Sequence, residues 1–340
     1  MNPKVLLIYT GGTIGMAQDP KTGVWSPFDF SSLNAAMPSL RDLNVDIGVH
    51  SFAKAIDSSD MNPEHWIEIA KVIENNYNDY DGFVVLHGTD TMSYTASALS
   101  FMLEGLEKPV ILTGSQLPIG VLRSDGKDNL INSVEIAGYK ENGNALIPEV
   151  CICFENNLYR GNRTTKLNAE NFNAFYSGNY PALAEVGIHV KYNRHAILSQ
   201  TESRGFKVHK KLDDRVAILK IYPGLSQKTV ESILEIEGLQ GLILETYGSG
   251  NAPSAPWFIN ALKNAIDNGL IVLNISQCKA GKVEMGKYEA SVNLLNVGVI
   301  SGEDMSTESA VTKMMILLGS ITPKSKVIEL LQVSLCGEMS

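Results

Sequence analysis

The stretch Val5 to Gly15, VLLIYTGGTIG, constrains the fold of this chain more than any other segment. Its apolar run Val5–Tyr9 is too short to cross a membrane and has the length of a buried strand. Thr10, Gly11 and Gly12 follow, then Thr13 and Gly15. Adjacent glycines let the backbone turn sharply and approach a neighbour closely, because no Cβ intervenes. A buried strand that runs into such a turn belongs in an open α/β sheet, and those sheets bind ligands at the carboxyl ends of their strands. Thr13 stands at that end and is a candidate reactive group. A phosphate loop needs G-x-x-x-x-G-K-[ST] and a dinucleotide site needs G-x-G-x-x-G; Gly11-Gly12-Thr13-Ile14-Gly15 fits neither. On its own the turn is equally compatible with a purely structural role.

The same sentence of strand, small-residue turn and helix recurs along the chain. Apolar runs at Phe83–Leu86, Val110–Leu112, Val150–Phe154, Val216–Ile221, Leu242–Leu244 and Ile271–Ile275 read as strands. Asn62-Pro63-Glu64 is a capping residue followed by Pro at the first helical position, and Trp66, Ile69, Ala70, Ile73 and Tyr77 then repeat at helical spacing. A second helix is expected after Asp90 and a third from Asp125 to Tyr139. This alternation predicts α/β architecture with mainly parallel sheets. Lys191 to Arg215 is polar, charged and without apolar period, so the expected organisation is an N-terminal α/β domain over 1–190, a linker over 191–215 and a smaller C-terminal α/β domain over 216–340. The polar stretch Gln18 to Ser32, with Pro20, Gly23 and Pro27, is expected to be a loop beside the first turn, either static or a lid.

Charge and cysteine usage exclude several function classes. The net charge of -9 disfavours nucleic acid and anionic membrane as partners, since both demand a basic surface. There is no C-x-x-C pair, and the histidines at 50, 65, 87, 189, 195 and 209 are scattered, which argues against a zinc site or a disulfide framework. Cys151 and Cys153 are expected to face opposite sides of a strand; Cys278 and Cys336 stand alone. No signal peptide is read at the N-terminus, so the expected compartment is the cytoplasm.

Three further segments carry chemistry. His87-Gly88-Thr89-Asp90-Thr91 is built like the first turn, a buried strand ending in Gly and Thr, with a carboxylate beside the hydroxyl. The same residues also cap helices well. Lys166 ends Asn162-Arg163-Thr164-Thr165-Lys166. A lysine near a hydroxyl in a dry pocket can serve as the base that a weak Thr nucleophile needs. Thr89, Lys166 and Asp90 would then supply a hydroxyl, its proton partner and an orienting carboxylate. Asp57-Ser58-Ser59-Asp60, just before the capped helix, offers hydroxyls and backbone N–H groups suited to a small carboxylate.

Together, T-G-G-T-I-G and H-G-T-D-T resemble the two signatures of the bacterial-type L-asparaginase family, and DSSDM, TGSQ, RSDG, GNRTTK and YGSGNAP resemble its cytoplasmic type I branch. The resemblance spans essentially the whole chain. It implies a larger N-terminal and a smaller C-terminal α/β domain, a homodimer or homotetramer with sites near a subunit interface, and no cofactor or metal. It implies that Thr13 attacks the side-chain amide of L-asparagine to give an acyl-enzyme, and that Thr89 is a second catalytic hydroxyl linked to Lys166 and Asp90. Asp57, Ser58 and Ser59 would form the substrate loop, with Ser58 on the α-carboxylate and Asp90 on the α-ammonium. Minor glutaminase activity would accompany the main reaction. Some relatives also bind asparagine at an allosteric site through a basic residue; the matching position here is Glu245, with Ser276, Gln277 and Cys278 as further candidates for that site, and a carboxylate there would repel the ligand.

Two departures and two rivals complete the reading. Many relatives close a Tyr over the nucleophile, whereas no Tyr lies between Gly15 and Ser31 here and Trp25 is the nearest aromatic. One rival is the ammonia-releasing subunit of a tRNA-dependent amidotransferase, disfavoured by the acidic charge and by a signature that starts at Thr10 rather than after a leading domain. The other is a catalytically silent amino-acid-binding regulator, disfavoured by the joint presence of Thr13, Thr89, Asp90 and Lys166.

Overall fold

The computed structural model describes residues 2–18, 25–27, 38–199, 205–287 and 289–340. It divides into two compact units, Met1–Lys210 and Lys211–Ser340.

In the first unit the strands are β1 (Lys4–Gly11), β2 (Asp46–Ile56), β3 (Gly82–Leu86), β4 (Val110–Thr113), β5 (Val150–Phe154), β6 (Asn157–Arg160), β7 (Ala184–Val186) and β8 (Val190–Tyr192). They form one sheet in the order β8-β7-β6-β5-β4-β3-β1-β2. The pairings from β2 through β5 are parallel, and β6, β7 and β8 close the other edge as an antiparallel meander. The apolar runs became central strands because each is covered on both faces: Val5, Leu7, Ile8, Val84, Val85, Ile111 and Ile152 are fully buried. At about 1.5–3 kcal/mol per buried aliphatic side chain, such a block is the main cohesive term of the unit.

Three helices follow strands here: α1 (Pro63–Asn76), α2 (Met92–Met102) and α3 (Gly126–Gly138). Asn62 caps α1, its side chain accepting from the backbone N–H of Glu64 and His65. Leu130, Val134 and Ala137 of α3 pack in one apolar cluster with Val5, Leu7, Val84, Leu86 and Ile111. Cys151 and Cys153 also join that cluster. They share a face, against the expectation of opposite faces, because side chains alternate along a strand and residues two apart fall on the same side.

The expected strands are present, but β2 was not among them. It is an edge strand whose only buried side chain is Phe52, so it carries no apolar run for a sequence to show. The stretch 191–215, expected as a linker, holds more structure than its polarity suggests. Lys191 and Tyr192 belong to β8, Arg160 donates to the Ala196 carbonyl at 2.8 Å, and Lys207–Val208 pairs with Leu103–Glu104. The division between the units falls within this stretch. Most of the expected loop 18–32 lies outside the described residues; Trp25–Pro27 pairs with Met16–Gln18.

The second unit repeats the plan on a smaller scale. Strands β9 (Val216–Lys220), β10 (Gly241–Thr246), β11 (Ile271–Ser276) and β12 (Ile300–Ser301) are parallel and adjacent in that order. Helices α4 (Gln227–Leu234) and α5 (Pro256–Asp267) contribute Val230, Phe258 and Leu262 to a core with Leu219, Leu242, Leu244 and Val272. Three more helices are α6 (Glu289–Asn296), α7 (Thr307–Ser320) and α8 (Lys324–Leu331). Lys313 on α7 and Glu338 form an ion pair at 2.6 Å with both side chains fully buried. The Lys313 ammonium also donates to the Val333 carbonyl, and the Glu338 carboxylate accepts from the backbone N–H of Leu335 and Cys336. Buried charges persist only when partnered this fully. Among the described residues no helix is long and apolar enough to cross a membrane.

Candidate active site

The carboxyl ends of β1, β2 and β3 meet through glycine. Gly11 has φ 140° and Gly12 φ 87°, a region that side-chain-bearing residues avoid. A Cβ on Gly11 would lie 2.1 Å from the Ile56 carbonyl oxygen, and one on Gly12 would lie 2.5 Å from the backbone nitrogen of Gly88. A Cβ on Gly88 would in turn lie 2.4 Å from Ser58 Oγ. The turns that carry Thr13, Ser58 and Thr89 are therefore stacked at van der Waals contact. Thr10 ties the first to the third, its hydroxyl donating to the Leu86 carbonyl at 2.9 Å.

Lys166 approaches this junction from the short strand Thr165–Lys166, which pairs with Phe175–Tyr176. Its Nζ donates to Thr89 Oγ1 at 2.7 Å and to Asp90 Oδ1 at 2.7 Å. Asp90 remains open to solvent, with 64% of its side chain exposed, whereas Lys166 is 17% exposed. The turn Gly161–Arg163 places that strand: Gly161 abuts Ala96 of α2, and Thr164 Oγ1 donates to the Arg160 carbonyl at 2.7 Å. Arg160 is itself locked by a buried pair with Glu149 at 2.6 Å.

Beneath Thr89 runs a buried polar chain. Trp66 Nε1 donates to Thr95 Oγ1 at 3.0 Å, Thr95 Oγ1 lies 2.9 Å from His87 Nε2, and His87 Nδ1 lies 2.7 Å from the Gly88 carbonyl oxygen. Since the Gly88 carbonyl can only accept, Nδ1 carries the proton and Nε2 accepts from Thr95. Complete burial pushes the His87 imidazole down to about 4, so it is neutral at ordinary pH.

The substrate-loop candidates form a short helical turn, Ser58–Asp60. Asp57 accepts from the backbone N–H and the hydroxyl of Ser59 at 3.0 and 2.9 Å, and these bonds hold its carboxyl below the usual value. Ser58 is buried, and its carbonyl accepts from the Thr91 hydroxyl at 2.6 Å. Thr13 is exposed, and among the described residues its hydroxyl has no hydrogen-bond partner. Thr13, Ser58, Thr89, Asp90 and Lys166 are thus gathered in one place, with Asp57 and Ser59 bracing the turn beside them.

Two further residues belong to the site although only their segments stood out in the sequence. Gln116, of TGSQ, accepts from the Thr89 hydroxyl at 3.5 Å through Oε1, and its Nε2 donates to the carbonyls of Ala169 and Asn171 in the loop that follows Lys166. Asp125, of RSDG, accepts from the backbone N–H of Gln116 at 3.0 Å. A polar residue three positions beyond a strand end is the signal that could have found the first.

Glu245, Ser276, Gln277 and Cys278 lie in the second unit, at the ends of β10 and β11. Each is engaged locally. Glu245 is 7% exposed and accepts from the Thr307 hydroxyl at 2.6 Å, with Lys220 at 3.6 Å. Gln277 Nε2 donates to the carbonyls of Ile221 and Glu245, Ser276 Oγ donates to the Gly248 carbonyl, and the Cys278 N–H donates to Ser276 Oγ. Among the described residues no three potential metal ligands cluster.

What the first unit's arrangement offers chemically is a hydroxyl hydrogen-bonded to an amine that is also paired with a carboxylate, beside a second hydroxyl without a partner among the described residues and a turn suited to a small anion. Comparison with known proteins finds relatives along the whole chain. Residues 4–198 match the family model described as Asparaginase, N-terminal, and residues 215–331 match the Glutaminase/Asparaginase C-terminal domain. The chain is 43% identical over 337 residues to L-asparaginase 1 of Escherichia coli strain K12, covering 99% of this chain and 98% of that one. It is 39% identical over 365 residues to the 60 kDa lysophospholipase of Mus musculus, covering 99% of this chain and 62% of that protein. Among solved structures, L-asparaginase I from Vibrio cholerae superposes with a TM-score of 0.90 at 41% identity, with both chains covered completely.

Proposed function

On the premise that this chain belongs to the asparaginase family, we propose that it hydrolyses L-asparagine to L-aspartate and ammonia at the junction of Thr13, Ser58, Thr89, Asp90 and Lys166. The observation that carries the reading is the pair of 2.7 Å bonds from Lys166 to Thr89 and Asp90, in a chain whose relatives include L-asparaginases along their whole length.

Thr13 Oγ attacks the side-chain carboxamide carbon, and its proton is passed to the leaving nitrogen. The C–N bond then breaks, releasing ammonia and leaving an ester of aspartate on Thr13. Water, deprotonated along the same route, attacks that ester; the Thr13 oxygen regains a proton and aspartate leaves. Thr89, Lys166 and Asp90 form the relay for these protons: Lys166, acting as the neutral amine, takes one from Thr89, and Asp90 balances the charge that Lys166 then carries. Ser58 receives the α-carboxylate and Asp90 the α-ammonium. Backbone N–H groups of the glycine turns meet the oxyanion, an interaction type worth several kcal/mol. L-Glutamine, one methylene longer, is turned over with a kcat/KM lower by roughly 10–200-fold. A cytoplasmic setting and a homodimeric or homotetrameric assembly belong to the same reading, the former supported by four unbridged cysteines.

Glu245 has no such role. Its carboxylate is held by Thr307 and Lys220, which supports the inference that asparagine finds no activating site there.

The test is ammonia release from L-asparagine by the full chain, repeated with hydroxylamine present. Release of ammonia with formation of the β-hydroxamate of aspartate supports the ester intermediate; no release at any concentration removes the proposal.

A further inference from the structure

We propose that Thr91 is a positioning residue for substrate binding, fixing the Ser58 turn against the loop that carries Thr89 and Asp90. The inference rests on the role given to Ser58 above. Thr91 occupies the N-cap position of α2, where a hydroxyl ordinarily accepts from the helix's first free N–H groups. It makes no such bond. Its hydroxyl donates instead to the Ser58 carbonyl, 2.6 Å away and 33 residues distant in sequence.

That carbonyl is where the substrate turn closes. It also accepts from the Met61 N–H at 3.2 Å, the bond that ends the helical turn Ser58–Asp60. The turn is therefore gripped at two points by one loop. Gly88, lacking a Cβ, lets Ser58 Oγ settle against its backbone, and Thr91 holds the Ser58 carbonyl. Thr89 and Asp90 lie between those two points. Asp57 braces the turn internally through Ser59, but that bond leaves the turn's place relative to Thr89 undetermined. Thr91 supplies the missing restraint. It sets the spacing between the group that binds the α-carboxylate and the groups that act on the side-chain amide. Since an α-carboxylate bound out of register weakens ground state and transition state alike, the loss falls on KM rather than kcat.

Thr91→Val keeps the shape and removes the O–H; Thr91→Ser keeps the O–H. Steady-state ammonia release and calorimetric binding of L-aspartate, which carries the same α-carboxylate, are measured for both beside melting temperatures. The expected result for Thr91→Val is a KM for L-asparagine raised about tenfold with kcat within about twofold, a matching loss of L-aspartate affinity, and near-native constants for Thr91→Ser. Native KM and aspartate affinity in Thr91→Val overturn the proposal, as do equal defects in both variants or a fall in kcat at unchanged KM. If Thr91→Val does not fold, Thr91→Ala carries the same expectation, and failure of both to fold makes Thr91 a structural residue only. If the unmodified chain releases no ammonia, the functional reading fails separately, and aspartate binding still decides the role of Thr91.

Discussion

The two units present the carboxyl ends of parallel sheets, and the hydroxyls at those ends begin alike. In the first, Thr10 donates to the Leu86 carbonyl at 2.9 Å and Thr113 to the Cys153 carbonyl at 2.8 Å, each stitching one strand to its neighbour. In the second, Thr246 donates to Asn274 Oδ1 at 2.7 Å and to the Ile275 carbonyl at 3.3 Å. Beyond these stitches they part. The first sheet continues into the Gly11-Gly12 and Gly88 turns, which bring three loops into contact and leave Thr13 and Asp90 exposed. The second continues into Ser276, Gln277 and Glu245, whose polar groups are turned back onto nearby carbonyls and onto Thr307. One sheet end has hydrogen-bonding capacity left for a ligand; the other consumes its own. Shared architecture therefore does not place the chemistry, and the residues just past each strand do.

The sharpest way to break this contrast is to fill the glycine junction. Gly12→Ala puts a Cβ 2.5 Å from the Gly88 backbone at φ 87°, so turnover of L-asparagine is expected to fall at least a hundredfold, read as kcat/KM. Near-native activity would mean that the contact of the two turns is not what assembles the site.

Acid distinguishes the units next, because all six histidines precede residue 211. An unfolded His titrates near 6.5, whereas His87 in the folded chain stays neutral down to about 4. Between those values the unfolded state binds the extra proton, so stability is full above pH 6.5 and declines on acidification to about 4, by about 3 kcal/mol from this group. Denaturation followed against pH is expected to lose that decline in His87→Gln; an unchanged acid limb would contradict the assignment.

Within the second sheet, Thr246→Val removes the donor to buried Asn274 and is expected to cost about 1–3 kcal/mol in denaturant unfolding while leaving kcat unaltered. Glu245→Ala is the mildest change, with the asparagine saturation curve keeping its shape. A strongly sigmoidal curve in the unmodified chain, left unchanged by Glu245→Ala, would contradict the charge argument.

Much of this is legible in the sequence alone, for reasons that differ by residue. Val5–Tyr9 and Phe83–Leu86 showed themselves because central parallel strands are apolar on both faces. Thr13, Thr89 and Asp90 showed themselves because small and polar residues break those runs at strand ends, whereas Lys166 stood out through the segment Asn162-Arg163-Thr164-Thr165-Lys166. The edge strand β2 stayed hidden because it is mostly exposed. Thr91 was quoted only as a capping residue, and its bond to Ser58 crosses 33 positions with no local trace. The chain Trp66–Thr95–His87 and the pair Lys313–Glu338 were equally silent, each joining elements that only the fold brings together.

The central claim, that the Thr89 hydroxyl held by Lys166 relays the protons for attack by Thr13, is tested most directly by the initial rate of ammonia release from L-asparagine in the unmodified chain and in Thr89→Val. The account predicts release by the former and a loss on the order of a thousandfold in kcat for the latter, at unchanged melting temperature. Equal rates in the two would contradict it.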